Sequence, residues 1–327
     1  MGNTLKLLFV SIFLTAALAA SANTAVDSGS VQTNLDVIAA LGDSISAASL
    51  AETTATDAVN KYLDQHPNLS RTKRAQVLKK IYRASVNREN KETLSWVSGK
   101  DVQSHFIRMK NLFKAREPQT KIEILNLSVP GAKAVDMKAQ AQQLVDAMKT
   151  KKYGSLRYLT YMIGGNDACS KVAKGGTPNA DMLSALEESF KVLSQIKQSQ
   201  PIPVLFSSLP RIPDLGKPEI MNNHVFALTT CRFIQLSVLN LCDPMIDWKT
   251  QAQYNERVGY VEAKNQLLQK FSEDMAKKYP QFQIHYSDVF YQHPITIREL
   301  AMDCFHPNTK GHEIISQQLW DAQPWFH

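Results

Sequence analysis

Apolar residues fall along this chain in two alternating rhythms. Short runs, unbroken or alternating, occur at Val37 to Leu41, Lys121 to Val129, Tyr158 to Ile163, Pro203 to Leu209 and Phe282 to Phe290. Their length and their Val, Ile, Tyr and Phe content, with Gly, Pro or Asn nearby, predict five strands. Between them lie stretches with apolar positions three and four residues apart: Ile45 to Gln65, Val102 to Phe113, Ala134 to Lys149, Ala180 to Gln198, Ala252 to Lys278 and Thr309 to Asp321. That spacing predicts helices, the longest open to a break at Gly259. Strand then helix, repeated, predicts an α/β fold with a mainly parallel sheet and helices on both faces. In such a sheet the segments leaving the strands gather along one edge, where ligands bind.

The chain begins differently. Lys6 is followed by an apolar run from Leu7 to Ala20 and by the small residues Ala20-Ser21-Ala22. This is the pattern of a secretory signal peptide over residues 1–22, cleaved near Ala22. The run is shorter than the ~20 residues a membrane span needs. A secreted or periplasmic protein is expected, with residues 23–327 as a single domain, since no repeat or low-complexity linker divides them. A helical insert, approximately residues 66–93, follows the first strand. Its stretch from Arg71 to Lys91 carries eight Lys or Arg against Glu89 alone, with Val77, Leu78, Ile81, Tyr82 and Val86 on one helical face. A surface helix covering part of the core is the favoured reading; a peripheral contact with an anionic membrane is the alternative. The net charge of +7 suits anionic surfaces or substrates. No nucleic-acid motif is present, and a monomer is expected.

Four cysteines, Cys169, Cys231, Cys242 and Cys304, form an even set in a chain expected to be secreted. Two disulfides follow, with three possible connectivities. The preferred pairing is Cys231–Cys242, closing a short loop worth roughly 3 kcal/mol, with Cys169–Cys304 joining two stretches near the candidate site. No Cys-x-x-Cys pair exists to hold zinc, and no cofactor is expected.

The candidate chemistry starts at Leu41-Gly42-Asp43-Ser44-Ile45-Ser46, where a strand is read as feeding a helix through a glycine turn. Ser44 would then sit at a sheet edge and at a helix N-terminus, which favours developing negative charge. Asp and Ser also cap helices, so this stretch alone does not establish a nucleophile. A serine hydroxyl needs a base, and the base needs an orienting group. Asp303-Cys304-Phe305-His306 supplies both: the carboxylate can take the imidazole Nδ1–H while Nε2 faces Ser44. An oxyanion needs fixed donors, available as the Ser44 N–H, the Gly131 N–H after Pro130, and the Asn166 amide in Gly164-Gly165-Asn166-Asp167. A metal set of Asp303, His306 and His312 lacks a further ligand.

These stretches, in this order, resemble the SGNH branch of the GDSL hydrolases. The blocks are Gly42-Asp43-Ser44, Gly131, Gly165-Asn166-Asp167, and Asp303 with His306. The words Ala39-Ala40-Leu41-Gly42-Asp43-Ser44, Leu94-Ser95-Trp96, Asn126-Leu127-Ser128-Val129-Pro130-Gly131 and Ile163-Gly164-Gly165-Asn166-Asp167-Ala168-Cys169 are most similar to the phospholipase B-like subgroup. The resemblance implies a three-layer α/β/α sandwich around a five-stranded parallel sheet. It implies Ser44 as nucleophile, His306 as base, Asp303 as its partner, and Ser44, Gly131 and Asn166 as the oxyanion hole. The basic insert departs from the pattern. Trp96 is read as a core residue or as the lining of an acyl channel. The expected function is a secreted serine esterase working through an acyl-enzyme, with phospholipase or lysophospholipase leading. Carbohydrate or short-chain acyl esterase and lipid acyltransferase are the alternatives, and an inactive secreted binding module is the alternative of another class.

Overall fold

Val37, Ile38, Ala39, Ala40 and Leu41 are each fully buried. A strand apolar on both faces must be covered on both. In the computed structural model these residues form the middle of β1 (Asn34–Gly42), which pairs in parallel with β2 (Thr120–Asn126) on one side and β3 (Leu156–Met162) on the other. β4 (Ile202–Ser207) and β5 (Phe282–Ser287) extend the sheet, giving the all-parallel order β2-β1-β3-β4-β5. The structure describes residues 34–51, 62, 65–70, 72–77, 79–80, 92–150, 153–170, 176–226 and 229–326. Thr33–His327 forms one compact unit. The reading of residues 1–22 as a signal peptide lies outside the described residues.

Alternation along β1 divides the core. Val37, Ala39 and Leu41 face one cluster, and Ile38 and Ala40 face the other. The first cluster is roofed by α2 (Met137–Thr150), α3 (Asn179–Leu193) and α4 (Gln251–Lys278), through Met137, Leu144, Leu186, Phe190 and Leu268. The second is roofed by α1 (His105–Arg116) and α5 (Thr309–Ala322), through Phe106, Met109, Ile315 and Leu319. The result is the three-layer α/β/α arrangement. Trp96 is a core residue of the second cluster, fully buried and edge-on to His105.

The structure departs from the sequence reading in four places. α4 runs unbroken through Gly259. β5 stops at Ser287, and Val289–Gln292 coils into a short helix. No helix starts at Ile45: the Ala47 N–H bonds the Asp43 carbonyl, but Ala48 and Leu50 adopt left-handed φ of 55° and 60°, which ends the coil. Most of the remainder of that predicted helix lies outside the described residues. The basic insert is described only in part. Residues 72–77, 79 and 80 are helical, and Leu69 and Ala75 pack against Ile234, Val238 and Met302.

The disulfide pairing is the fourth difference. The bonds are Cys169–Cys242 and Cys231–Cys304. Residues 231–239 are helical. Cys231 heads that run and Cys242 lies beyond its far end, past a left-handed turn at Asn240. The segment therefore reaches two different loops instead of closing on itself.

Candidate active site

Ser44 lies two residues past the end of β1. Its turn is built close to the sheet: a side chain at Gly42 would press on the Met162 carbonyl at 2.6 Å and the Ser46 hydroxyl at 2.9 Å. Beyond the sheet ladder, Gln140 of α2 takes both backbone groups of Gly42, accepting its N–H at 2.8 Å and donating to its carbonyl at 2.9 Å. The Ser46 carbonyl accepts from the Ser95 hydroxyl at 2.7 Å and the Asn126 amide at 2.8 Å. The Asp43 side chain turns back to accept the Ile45 N–H at 3.0 Å.

The second half of the site comes from the far end of the chain. Asp303 accepts the backbone N–H of Phe305 and of His306 on one carboxylate oxygen, each at 3.0 Å. This fold-back needs Cys304 in the left-handed region, at φ 57°. The other oxygen meets His306 Nδ1 at 2.5 Å, and His306 Nε2 meets Ser44 Oγ at 2.9 Å. Ser44, His306 and Asp303 are all buried, the last to 1 % exposure. The three side chains thus form one hydrogen-bonded line across 262 residues of separation between Ser44 and His306.

Burial pulls the His306 pKa down. The Asp303 carboxylate, by charge and by hydrogen bond, and the Asp43 charge together outweigh that and raise it above its ordinary 6.5. Asp43 is itself pushed up to about 6, chiefly by burial. His312, buried in the first turn of α5, is pushed down to about 3 by burial and by the neighbouring His306.

Asn166 sits in the short helix Gly165–Ala168 that leaves β3. Its Nδ2 donates one bond to the Ala132 carbonyl at 3.0 Å, leaving a second amide hydrogen. Asp167 beside it accepts the Ala134 N–H at 3.0 Å. Together they fasten the turn holding Gly131, whose φ of 81° is open to glycine at little cost. The same turn starts from the Val129 N–H, bonded to the Gly42 carbonyl at 3.1 Å. Among the described residues, no protein acceptor takes the Ser44 or Gly131 N–H. Ser44, Asn166 and His306 line a common cavity; Gly131 stands outside its lining, at the adjoining turn.

That cavity opens to solvent, offers about 70 Å³ of space to a water-sized molecule and is walled mainly by apolar side chains, including Ile163, Leu209, Ile212, Leu215 and Ile315. Among the described residues no group of acidic, histidine or cysteine side chains is arranged to hold a metal, and Asp303 and His306 spend their facing atoms on each other. Gln140 was not singled out by sequence, and Ser95 and Asn126 entered only within longer words, with no role assigned. The available signal was a polar side chain inside an otherwise apolar word, as in Leu94-Ser95-Trp96-Val97.

Comparison with known proteins places these residues in context. The model of the GDSL-like lipase/acylhydrolase family matches residues 38–319. Human membrane-associated phospholipase B1 is 26% identical over 215 residues, which cover 60% of this chain. The match spans only 14% of that relative's length. Among solved structures, TesA is 12% identical and covers 88% of this chain and 97% of its own, at a TM-score of 0.42. The acetyl xylan esterase AlAXEase is 13% identical and covers 88% of this chain and 98% of its own, at a TM-score of 0.41.

Proposed function

The chain belongs to the GDSL-like lipase/acylhydrolase family and is a carboxylic ester hydrolase; from that premise we propose that it is a secreted serine esterase acting on lipid acyl esters, a phospholipase or lysophospholipase. Ser44 Oγ attacks the ester carbonyl as His306 Nε2 takes its proton, and Asp303 stabilises the imidazolium. The oxyanion is held by the Ser44 and Gly131 N–H groups and the Asn166 amide. His306 then protonates the departing alcohol, leaving an acyl group on Ser44, and water repeats the sequence to release the acid. The observation that carries this reading is the line Asp303–His306–Ser44 at 2.5 and 2.9 Å. The apolar walls of the cavity on which Ser44 opens support an alkyl chain as the acyl group. The two disulfides suit an oxidising compartment.

The test is a panel of lysophosphatidylcholine, acetylated xylan and p-nitrophenyl esters, with a fluorophosphonate probe for Ser44. Fatty-acid release from the lipid and labelling of Ser44 are expected. Ser44→Ala should lose about 10⁶ in kcat, as other serine triads do. Acetate release without fatty-acid release would move the substrate to the carbohydrate esterases. Transfer to an added sterol would make the protein an acyltransferase, and no labelling of folded protein would leave a binding module.

A further inference from the structure

The cavity at Ser44 is closed on one side by a loop, His293 to Leu300, that contributes His293, Ile295, Glu299 and Leu300 to its lining. This loop is stapled to itself and to its neighbours. His293 Nε2 meets Glu299 Oε2 at 2.8 Å, and His293 Nδ1 meets Gln318 of α5 at 2.9 Å. The Thr296 hydroxyl donates to the other Glu299 oxygen at 2.9 Å. Asn308 donates to the Arg298 and Leu300 carbonyls at 2.9 and 3.1 Å. Ile295 and Leu300 are half-buried, packed against the main core. His293 also lines a shallow outer depression with Gln292, Pro294 and Gln318. The wall is therefore one residue thick there, with the cavity on one side of the imidazole and solvent on the other.

We propose that this loop sets the length of the acyl chain the enzyme accepts: Ile295 and Leu300 contact the chain, and the His293–Glu299 pair ends the space behind them. The inference rests on the esterase reading above and assigns the cavity to the acyl group. Alkyl groups gain from Ile295 and Leu300 by leaving water. A longer chain would have to displace a half-buried pair of polar side chains bonded to each other, which alkyl carbon cannot replace. The cavity therefore favours chains that end inside it.

The experiment is a series of p-nitrophenyl esters from acetyl to palmitoyl, run on the full-length protein and on Ile295→Trp, Ile295→Ala and His293→Ala. Ile295→Trp should lower the ratio of long-chain to short-chain kcat/KM by roughly tenfold or more, the scale of adding or removing a few methylenes of contact. His293→Ala should move the optimum to longer chains. Fluorophosphonate labelling of Ser44 runs alongside. If the natural protein neither labels nor hydrolyses, the esterase reading fails. If Ser44 labels in every variant and the chain-length profile stays fixed, the loop is not the determinant. A profile that stays fixed while discrimination between glycerophosphocholine (from lysophosphatidylcholine) and p-nitrophenol leaving groups changes would put the alcohol in the cavity and overturn the assignment. A variant that fails to melt cooperatively is replaced by the other two, which alter the same wall.

Discussion

The turn that carries Ser44 and the loop that carries Asp303 and His306 meet across 2.9 Å, yet they are held by different means. The Ser44 turn grows directly out of the interior strand β1 and is fixed without a cross-link, by packing and by hydrogen bonds from Gln140 on Gly42 and from Ser95 and Asn126 on the Ser46 carbonyl. The acid–base loop is reached only after β5 and a further irregular stretch. It is fixed covalently, by Cys304–Cys231, and Gln235 of the same segment donates to the Cys304 carbonyl. The other end of that segment holds Cys169, three residues past Asn166, through Cys242. One stretch thus braces the chain beside both His306 and Asn166, the proposed base and a proposed oxyanion donor. A side chain one or two residues from a buried strand inherits its rigidity from the sheet. A side chain far from any strand needs a cross-link to gain the same precision.

The contrast is tested most harshly at the base. Asp303→Asn keeps the shape but offers the imidazole the wrong hydrogen-bonding partner. kcat should fall about 10⁴-fold, as in serine triads generally, with KM nearly unchanged. A loss under tenfold would mean that His306 is not oriented by Asp303. Next comes the brace. Each disulfide closes 73 residues of separation, worth about 4 kcal/mol in the loop-entropy model. Replacing Cys231 and Cys304 by Ser should lower the melting temperature and also cost on the order of 10² in kcat, the scale of a small misplacement of reacting groups. Full kcat in a folded, cross-link-free variant would show that hydrogen bonds suffice on that side too.

Much of this site was legible in the sequence because its residues sit where apolar runs end. Ser44 follows Val37–Leu41, and Asn166 follows Tyr158–Ile163, so the strand pattern locates them on one sheet edge. His306 was legible only through Asp303 three residues earlier, since no strand points to it. Two things were not legible. The cysteine pairing depends on the helical run over residues 231–239, and the stretch Asp214 to Asp247 contains no rhythm strong enough to predict it. The missing helix after Ser44 depends on Ala48 and Leu50 at positive φ, which neither residue type advertises. The roles of Ser95, Asn126 and Gln140 depend on which carbonyl each meets across the fold, information that exists only in three dimensions.

The hydrogen-bonded side can be weakened separately. Asn126→Ala removes one of two donors on the Ser46 carbonyl and leaves Ser95 in place. The variant also gives up the bonds to the Ser98 hydroxyl and from the Ser128 N–H; at about 1 kcal/mol per bond, its melting temperature should fall while the turn stays folded. kcat is expected to fall roughly tenfold, with KM little changed. A matching loss in the Cys231 and Cys304 variant would mean that the two loops tolerate displacement equally, against the difference argued above.

The smallest expected effect lies where the two halves touch electrically. Asp43 belongs to the Ser44 turn, and its charge is one of the influences that raise the His306 pKa above 6.5. Only the neutral imidazole can accept the Ser44 proton, so activity should fall as pH drops through a midpoint above 6.5. Asp43→Asn preserves an oxygen to accept the Ile45 N–H but removes the charge. With less to stabilise the imidazolium, the acid limb of the pH–kcat/KM profile should move to lower pH. Stability supplies an independent sign. The folded Asp43 keeps its proton up to about pH 6, against an ordinary 3.8, because burial disfavours the carboxylate. The folded state therefore binds more protons between those values, and stability declines as pH rises through them. Above about pH 6 the Asn variant should melt higher than the natural protein. An acid limb that stays in place, with a raised melting temperature, would show Asp43 to be buried at a cost yet electrically silent toward His306.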